Sequence, residues 1–300
     1  MRLQVSVPPG EASTFRIAGV SLRLVSELED DQLLRLPSSY APFETRGARN
    51  DLDVRVRCVP DLPPTRGKLL YDSRLHWQAF VDGDTVSFEL RYPPTSRLYC
   101  RLTFHGGFSE AELAFSEAAY REFAPTLPRQ WDLPYPLDQL LVVPALAQRE
   151  TVLLHASGAV LPNGAAVFAG HSGDGKTTLS GILSKEGVSL LSDERIAIQK
   201  TPAGFVAHGT PWPGEGEIVS NASAPLRTLF VLEKSESHSI AEERTPSLVP
   251  EVIARAIVPY YLPEIASRIL ELFADLSARV PVRKLRFARR GGLKALLQAA

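Results

Sequence analysis

Two apolar stretches either side of Asn163-Gly164 constrain this chain more than any other feature, because the second empties directly into Gly170-His171-Ser172-Gly173-Asp174-Gly175-Lys176-Thr177. Asn-Gly between apolar runs is a strong hairpin signal. The strand read at 165–169 should therefore pair antiparallel with the run just upstream. That differs from a layout in which a helix crosses over between parallel strands. With a two-residue turn, Pro162 faces Ala165 and His155 comes opposite Ser172, at the mouth of the glycine-rich loop. A slip of one or two residues still leaves His155 nearby.

The loop itself fits G-x-x-x-x-G-K-[ST], the Walker A pattern, through Gly170, Gly175, Lys176 and Thr177. Such a loop turns successive backbone N–H groups inward and cradles phosphate oxygens. Its lysine reaches the outer phosphates, and the hydroxyl beside it can ligate a magnesium ion. At average glycine usage a chance match in a chain this long is on the order of one in a hundred, so context decides. A short buried strand precedes the loop. A helix is expected to follow over 178–185, with Leu179, Ile182 and Leu183 on one face and its N-terminus adding partial positive charge. The candidate nucleotide-binding residues are Gly170, His171, Ser172, Gly173, Asp174, Gly175, Lys176, Thr177 and Thr178. The alternative is a glycine-rich turn without a ligand. Asp174 is discordant, since an acid should repel phosphate; its side chain is expected to point to solvent.

Downstream, Val188-Ser189-Leu190-Leu191-Ser192 reads as an apolar strand ending in Asp193-Glu194, seventeen residues beyond Lys176. Phosphoryl transfer needs a carboxylate for the metal and a group to orient the acceptor hydroxyl. Two adjacent acids can divide these tasks only if the chain kinks, because strict alternation sends them to opposite faces. By itself the pair also reads as a polar strand end. His155 likewise has two readings: a hydrogen-bond donor beside bound phosphate, or a strand histidine satisfied by backbone. Arg195 either clamps an anion or pairs with a neighbouring acid. The glycine- and proline-rich stretch 204–216 reads as a loop closing over an acceptor, with Glu215 near the site, or as plain surface.

The first half of the chain carries alternating runs, including 15–24 and 77–90, the latter broken by Asp82-Gly83-Asp84; these read as strands and hairpins. The stretch 109–124 reads as a helix opened by a capping box of Ser109 and Glu112. Pro125, Pro128, Pro134 and Pro136 then suggest a domain joint, and a second helix is expected over 137–148. The basic tail from Arg279 onward reads as a closing strand and a short helix with a solvated basic face. The expected division is therefore a β-rich α+β domain over 1–134 and a nucleotide-binding α/β domain over 135–300.

Composition excludes several classes. With 44% hydrophobic residues, 22% charged residues and a net charge of −1, nothing argues globally for nucleic acid or an anionic membrane as partner. No apolar run approaches membrane-spanning length, and the N-terminal residues lack the apolar core of a signal peptide. A cytoplasmic location is expected. Cys58 and Cys100 have no metal-binding spacing and read as free thiols unless the fold brings them together.

Taken together, His155, the Gly170–Thr177 loop and Ser192-Asp193-Glu194-Arg195 resemble the catalytic domain of bacterial HPr kinase/phosphorylase, and more closely the HPr kinase-related proteins. The stretches His208-Gly209-Thr210-Pro211-Trp212-Pro213-Gly214-Glu215 and 225–233, and the ending around 281–287, add to the likeness, which covers roughly 135–290. The resemblance implies a mixed sheet shared with phosphoenolpyruvate carboxykinase and an ATP- and Mg²⁺-dependent kinase. Its acceptor would be a serine or threonine hydroxyl of a protein or peptide, and its assembly a homo-oligomer. By position Asp193 matches the catalytic acid and His155 its partner, with Lys176 the third catalytic residue. Thr177, Glu194 and Asp193 match the metal site. Glu194 stands where the usual pair has a second aspartate, and Thr177 replaces the common serine. The C-terminal signature loop linked to phosphorolysis and HPr docking is not found. A small-molecule kinase and a nucleotide sensor without transferase activity are the competing readings. A GTPase is disfavoured because no N-K-x-D motif occurs.

Overall fold

The computed structural model describes residues 5–30, 32–47, 50–92, 95–123, 130–133, 135–171, 173–241 and 246–299. The chain is mixed α/β, with several mixed sheets and few helices. It divides into two units, Met1–Ala145 and Leu146–Ala300. The division falls inside a helix rather than at the expected 134/135. Of the prolines read as a joint, Pro125, Pro128 and Pro134 lie outside the described residues.

The first unit contains β1 (Val5–Val7), β2 (Ala12–Ile17), β3 (Val20–Ser26), β4 (Leu33–Leu36), β5 (Glu44–Thr45) and β6 (Leu52–Val59). Then come β7 (Lys68–Asp72), β8 (Trp77–Asp82), β9 (Thr85–Tyr92), β10 (Arg97–His105), β11 (Glu110–Ser116), α1 (Glu117–Phe123), β12 (Gln130–Asp132) and α2 (Leu137–Gln148), which carries the chain into the second unit. Among the described residues, nine strands form one sheet in the order β5-β2-β3-β6-β11-β10-β9-β8-β7, and β1-β4-β12 form another. The hairpin expected over 15–24 turns at Ala18-Gly19, both with positive φ, and that over 77–90 turns at Gly83-Asp84. On the β9–β10 face, the fully buried Glu89 pairs with Arg91 and Arg101, each at 2.7 Å, and accepts the Thr65 N–H at 3.2 Å. This charge cluster fixes the proline-rich 60–66 segment to the sheet.

The helix expected over 109–124 is mostly a strand. Residues 110–113 alternate, with Ala111 and Leu113 buried and Glu110 and Glu112 turned outward, and 113–116 are buried throughout; period two therefore describes the start of the segment. The helix starts only at Glu117, and its cap is Ser116, whose Oγ accepts the Ala119 N–H at 3.1 Å and donates to Asp61 at 2.9 Å. Losing an N-cap of this kind costs about 1 kcal/mol. Ser116→Ala should therefore lower the urea midpoint of the chain by a matching amount, with the m-value unchanged.

The second unit contains β13 (Thr151–Leu161), β14 (Gly164–Ala169), α3 (Lys176–Lys185), β15 (Ser189–Ser192), β16 (Arg195–Thr201), β17 (Gly204–His208), β18 (Ser223–Lys234) and β19 (Ser239–Ile240). It ends with α4 (Val249–Ile253), α5 (Pro263–Arg279), β20 (Val282–Phe287) and α6 (Leu293–Gln298). β13 and β18 are long enough to serve two sheets. β13 pairs with β16 over its first half and with β14 and β15 over its second. β18 pairs with β17 near its start, then with β14 and β20 in parallel. The strands β14, β13, β16, β17 and β18 thus close into a ring. On the face covered by α3 and α6, Phe168, Phe230, Leu285 and Phe287 pack against Leu179, Leu183, Leu293 and Leu297. Burying each such side chain contributes roughly 1.5–3 kcal/mol.

The antiparallel pairing of β13 with β14 agrees with the expectation, but the register differs. Leu161 faces Gly164, so the turn residues are Pro162 and Asn163, not Asn163 and Gly164. Gly164 takes φ +131°, and proline suits the first position of a turn. Ala156 faces Ala169, which sets His155 level with Gly170 rather than Ser172. Ser172 itself lies outside the described residues. The tail forms β20 and the short α6, as expected. Lys294 of that helix is tied to Glu186, donating to its main-chain oxygen at 3.1 Å. No helix among the described residues is long and apolar enough to cross a membrane.

Candidate functional site

β14 ends at Ala169 and the chain turns through Gly173 and Gly175, at φ +86° and +98°, into α3. Both conformations favour glycine. At Gly175 a side chain is excluded twice over, because a Cβ would stand 2.7 Å from the Phe287 ring. α3 begins at Lys176, two residues before the expected start. The Lys176 side chain arches back over the loop, its Nζ donating to the carbonyls of Gly170 at 3.0 Å and His171 at 3.1 Å. Thr177 is exposed and Thr178 half-buried at the first turn of the helix.

Asp174 does not point to solvent. Its carboxylate is half-buried and folds inward, accepting the N–H of His171 while its own N–H donates to the His171 carbonyl at 3.2 Å. An acid in this loop is thus tolerated because it serves as an internal acceptor for one of the loop amides.

The acids lie at a bend between β15 and β16, but they point apart, so the bend does not bring both to one place as a division of tasks would require. Asp193 is 1% exposed. Its two oxygens accept N–H groups from Gly214 at 2.9 Å and Gly216 at 2.7 Å. Cβ atoms on Gly214 and Gly216 would come within 3.1 Å and 2.6 Å of that carboxylate, so the glycines permit the approach. The stretch read as a closing loop or plain surface is therefore a pinned segment. Trp212 and Thr210 are buried in it, and Glu215 is exposed. Thr210 Oγ1 also donates to the Arg195 carbonyl at 2.8 Å.

Glu194 turns the other way. Its Oε1 accepts from His155 Nε2 at 2.9 Å and Arg195 Nη1 at 2.6 Å. His155 stands opposite Arg195 in the β13–β16 ladder and gives its backbone N–H to the Arg255 carbonyl at 2.8 Å. The His155 backbone is thus satisfied by Arg255 while its ring holds a carboxylate. Burial alone would raise the Glu194 carboxyl, but the His155 hydrogen bond and the Arg195 charge hold it down at about 2. Burial likewise lowers the Lys176 ammonium, and the negative charges of Glu194 and then Asp174 pull it back up, while Arg195 and Arg255 oppose them. Lys176, Glu194, Arg195 and Arg255 therefore share one electrostatic neighbourhood. Asp193 faces the pinned segment instead.

The low Glu194 value has a consequence for stability. A carboxyl held at about 2 against an ordinary 4.5 stabilises the fold fully above pH 4.5, and that contribution is lost as pH falls through 2. Glu194→Gln should therefore be less stable than the native chain at pH 7 by about 1–2 kcal/mol, after discounting for solvent screening. The gap should close between pH 4.5 and 2 in urea titrations.

Sequence reasoning missed Arg255. Only 7% exposed, it lies just beyond α4 and directs its guanidinium to Glu251. Its link to His155 runs through its main-chain carbonyl, and no side-chain pattern signals that. Arg227 lies on β18, at the opposite end of β14 from the loop. Cys58 and Cys100 are both free, the second buried. Among the described residues no three His, Cys, Asp or Glu side chains gather into a ready-made metal cage. His208, at the start of the pinned segment, is pushed down to about 4 by burial. No family model matches this sequence, and no curated protein is significantly similar to it.

Proposed function

We propose that the second unit is an ATP-dependent phosphotransferase of the HPr kinase-related type, acting on a hydroxyl acceptor. One observation carries the reading: a lysine arched over a glycine loop at a helix N-terminus shares its electrostatic surroundings with a carboxylate held by a histidine and an arginine. The N–H groups of the loop and the first turn of α3 suit the β- and γ-phosphates of ATP. Lys176 would offset charge on the transferring group.

Thr177 and Glu194 would hold Mg²⁺. One exposed hydroxyl and one partly exposed carboxylate fit this ion, which keeps several waters and takes few protein ligands beside phosphate oxygens. Bound there, it would neutralise charge on the phosphates. Asp193 remains the candidate to orient the acceptor or accept its proton, with His155 assisting. With both oxygens held by Gly214 and Gly216, Asp193 would act only when that segment opens. Otherwise His155, which Glu194 holds in place, is the accessible acid–base group.

Incubation with γ-labelled ATP, magnesium, and separate pools of peptides and metabolites tests the proposal. Label on peptide serine or threonine is the expected result. Label confined to small molecules would move the acceptor to that class. Absence of any magnesium–nucleotide binding by calorimetry would overturn the reading. Asp193→Asn and His155→Gln, assayed side by side at saturating magnesium, assign the proton acceptor.

A further inference from the structure

A cavity of about 270 Å³ opens in the second unit where β14 begins, at the end of the sheet face that α6 stops covering. It is at the lower end of the volumes of small-molecule sites. Its apolar walls are Leu161, Phe230 and Leu297, and its polar groups include Arg227, Thr228 and Arg283. Among the described residues no acidic side chain lines it.

The two guanidiniums make the site unusual. β20 carries three cations, Arg283, Lys284 and Arg286. Lys284 and Arg286 both pair with Glu233, at 2.9 and 2.8 Å. Arg283 pairs with no carboxylate among the described residues, and its buried Nε has no hydrogen-bond partner there. Leaving a charged donor desolvated and unpaired is costly.

Arg227 reaches the same cavity by a different device. The β14–β18 ladder steps from Ala165–Leu226 to Ala166–Thr228, so Arg227 is the extra residue of a bulge. Bulges re-aim side chains. This one lays Arg227 across the hairpin end, where its Nε donates to the Asn163 carbonyl at 2.6 Å. Gly164 makes room for it, since a Cβ there would stand 2.7 Å from Arg227 Cγ. Arg227 therefore forms an exposed rim and Arg283 the half-buried wall.

We propose that this cavity binds a small molecule with an oxyanion head, phosphate or carboxylate, on a compact apolar body. The planar forks of two arginines suit either head, and the Phe230–Leu161–Leu297 wall suits the body. The cavity lies a strand's length from the glycine loop: the six residues of β14 span about 20 Å. It is thus a second ligand site, independent of the kinase reading.

Calorimetry on the full chain at low salt tests it, with phenyl phosphate, phenylacetate, inorganic phosphate and benzyl alcohol as probes. Phenyl phosphate or phenylacetate should bind one to one, and the tighter of the two identifies the head. Inorganic phosphate and benzyl alcohol should each bind at least about tenfold more weakly, since each lacks half of the complementarity. Arg283→Gln should weaken binding about tenfold or more, as loss of a charge-assisted hydrogen bond predicts. Arg227→Gln, at the exposed rim and safe for folding, should weaken it in the same direction. Lys176→Ala should leave it unchanged. The proposal is overturned if neither aromatic anion saturates, if both arginine variants bind like the native chain, or if Lys176→Ala abolishes binding, which would place the anion on the glycine loop.

Discussion

Gly209→Ala should unfold or severely weaken the second unit, by roughly 4 kcal/mol or more. A Cβ at this position would lie 2.0 Å from the Ser220 carbonyl oxygen and 2.6 Å from that of Leu191. Both are backbone atoms, so no side chain can swing away to relieve the clash. Gly209 also donates its N–H to the Ala222 carbonyl at 3.0 Å, which ties the segment to the residue just before β18. Displacing the backbone would therefore break the seam that brings Gly214 and Gly216 to Asp193. At 2–4 °C per kcal/mol for a unit of this size, the melting temperature should fall by roughly 8–15 °C. Gly181 supplies the control of opposite sign. It lies inside α3, and a Cβ there meets nothing within 4 Å. Gly181→Ala should stabilise by about 0.5–1 kcal/mol through helix propensity alone. A Gly209→Ala chain that melts like the native one would show that the segment is not tightly seated.

Lys176→Ala should reduce phosphate transfer by about 10²–10³-fold, the usual effect of removing one pre-positioned group that meets developing charge. The ammonium is buried beside two carbonyls, those of Gly170 and His171, to which it donates. Without it, phosphate oxygens would face the Glu194 and Asp174 carboxylates uncompensated. Magnesium–ATP affinity should fall as well. Lys176→Arg should not restore activity, because a planar fork cannot replace a compact ammonium held by two converging oxygens. Circular dichroism and a thermal melt would separate lost chemistry from lost fold. Full transfer by folded Lys176→Ala would refute the assignment of this loop.

How far the sequence could be read depended on whether each signal was local. The loop, the antiparallel hairpin and α2 each follow from residues adjacent in the chain. Residues 109–124 failed because Glu110-Ala111-Glu112-Leu113 suits both periods, and the tertiary pairing of β11 with β6 and β10 decided in favour of strand. The hairpin register slipped by two because Pro162 claimed a turn position that Asn-Gly also fits. Asp174 was misjudged, and the pinning of Asp193 went unforeseen, for a shared reason: their partners are backbone N–H groups, which no side-chain pattern marks. Arg255 was missed because its main-chain carbonyl makes the contact. The Arg283 cavity could not be foreseen, since it depends on a bulge in β18 and on where α6 ends.

The ring of strands has a final consequence for the glycine loop. β14 is gripped along both edges, by β13 antiparallel and β18 parallel. Sliding it by one step would have to unzip two ladders together and turn Phe168 out of the core. The stem beneath Gly170 is therefore a fixed anchorage, and whatever adjustment accompanies an incoming ligand must be absorbed by the few bonds between Ala169 and Lys176.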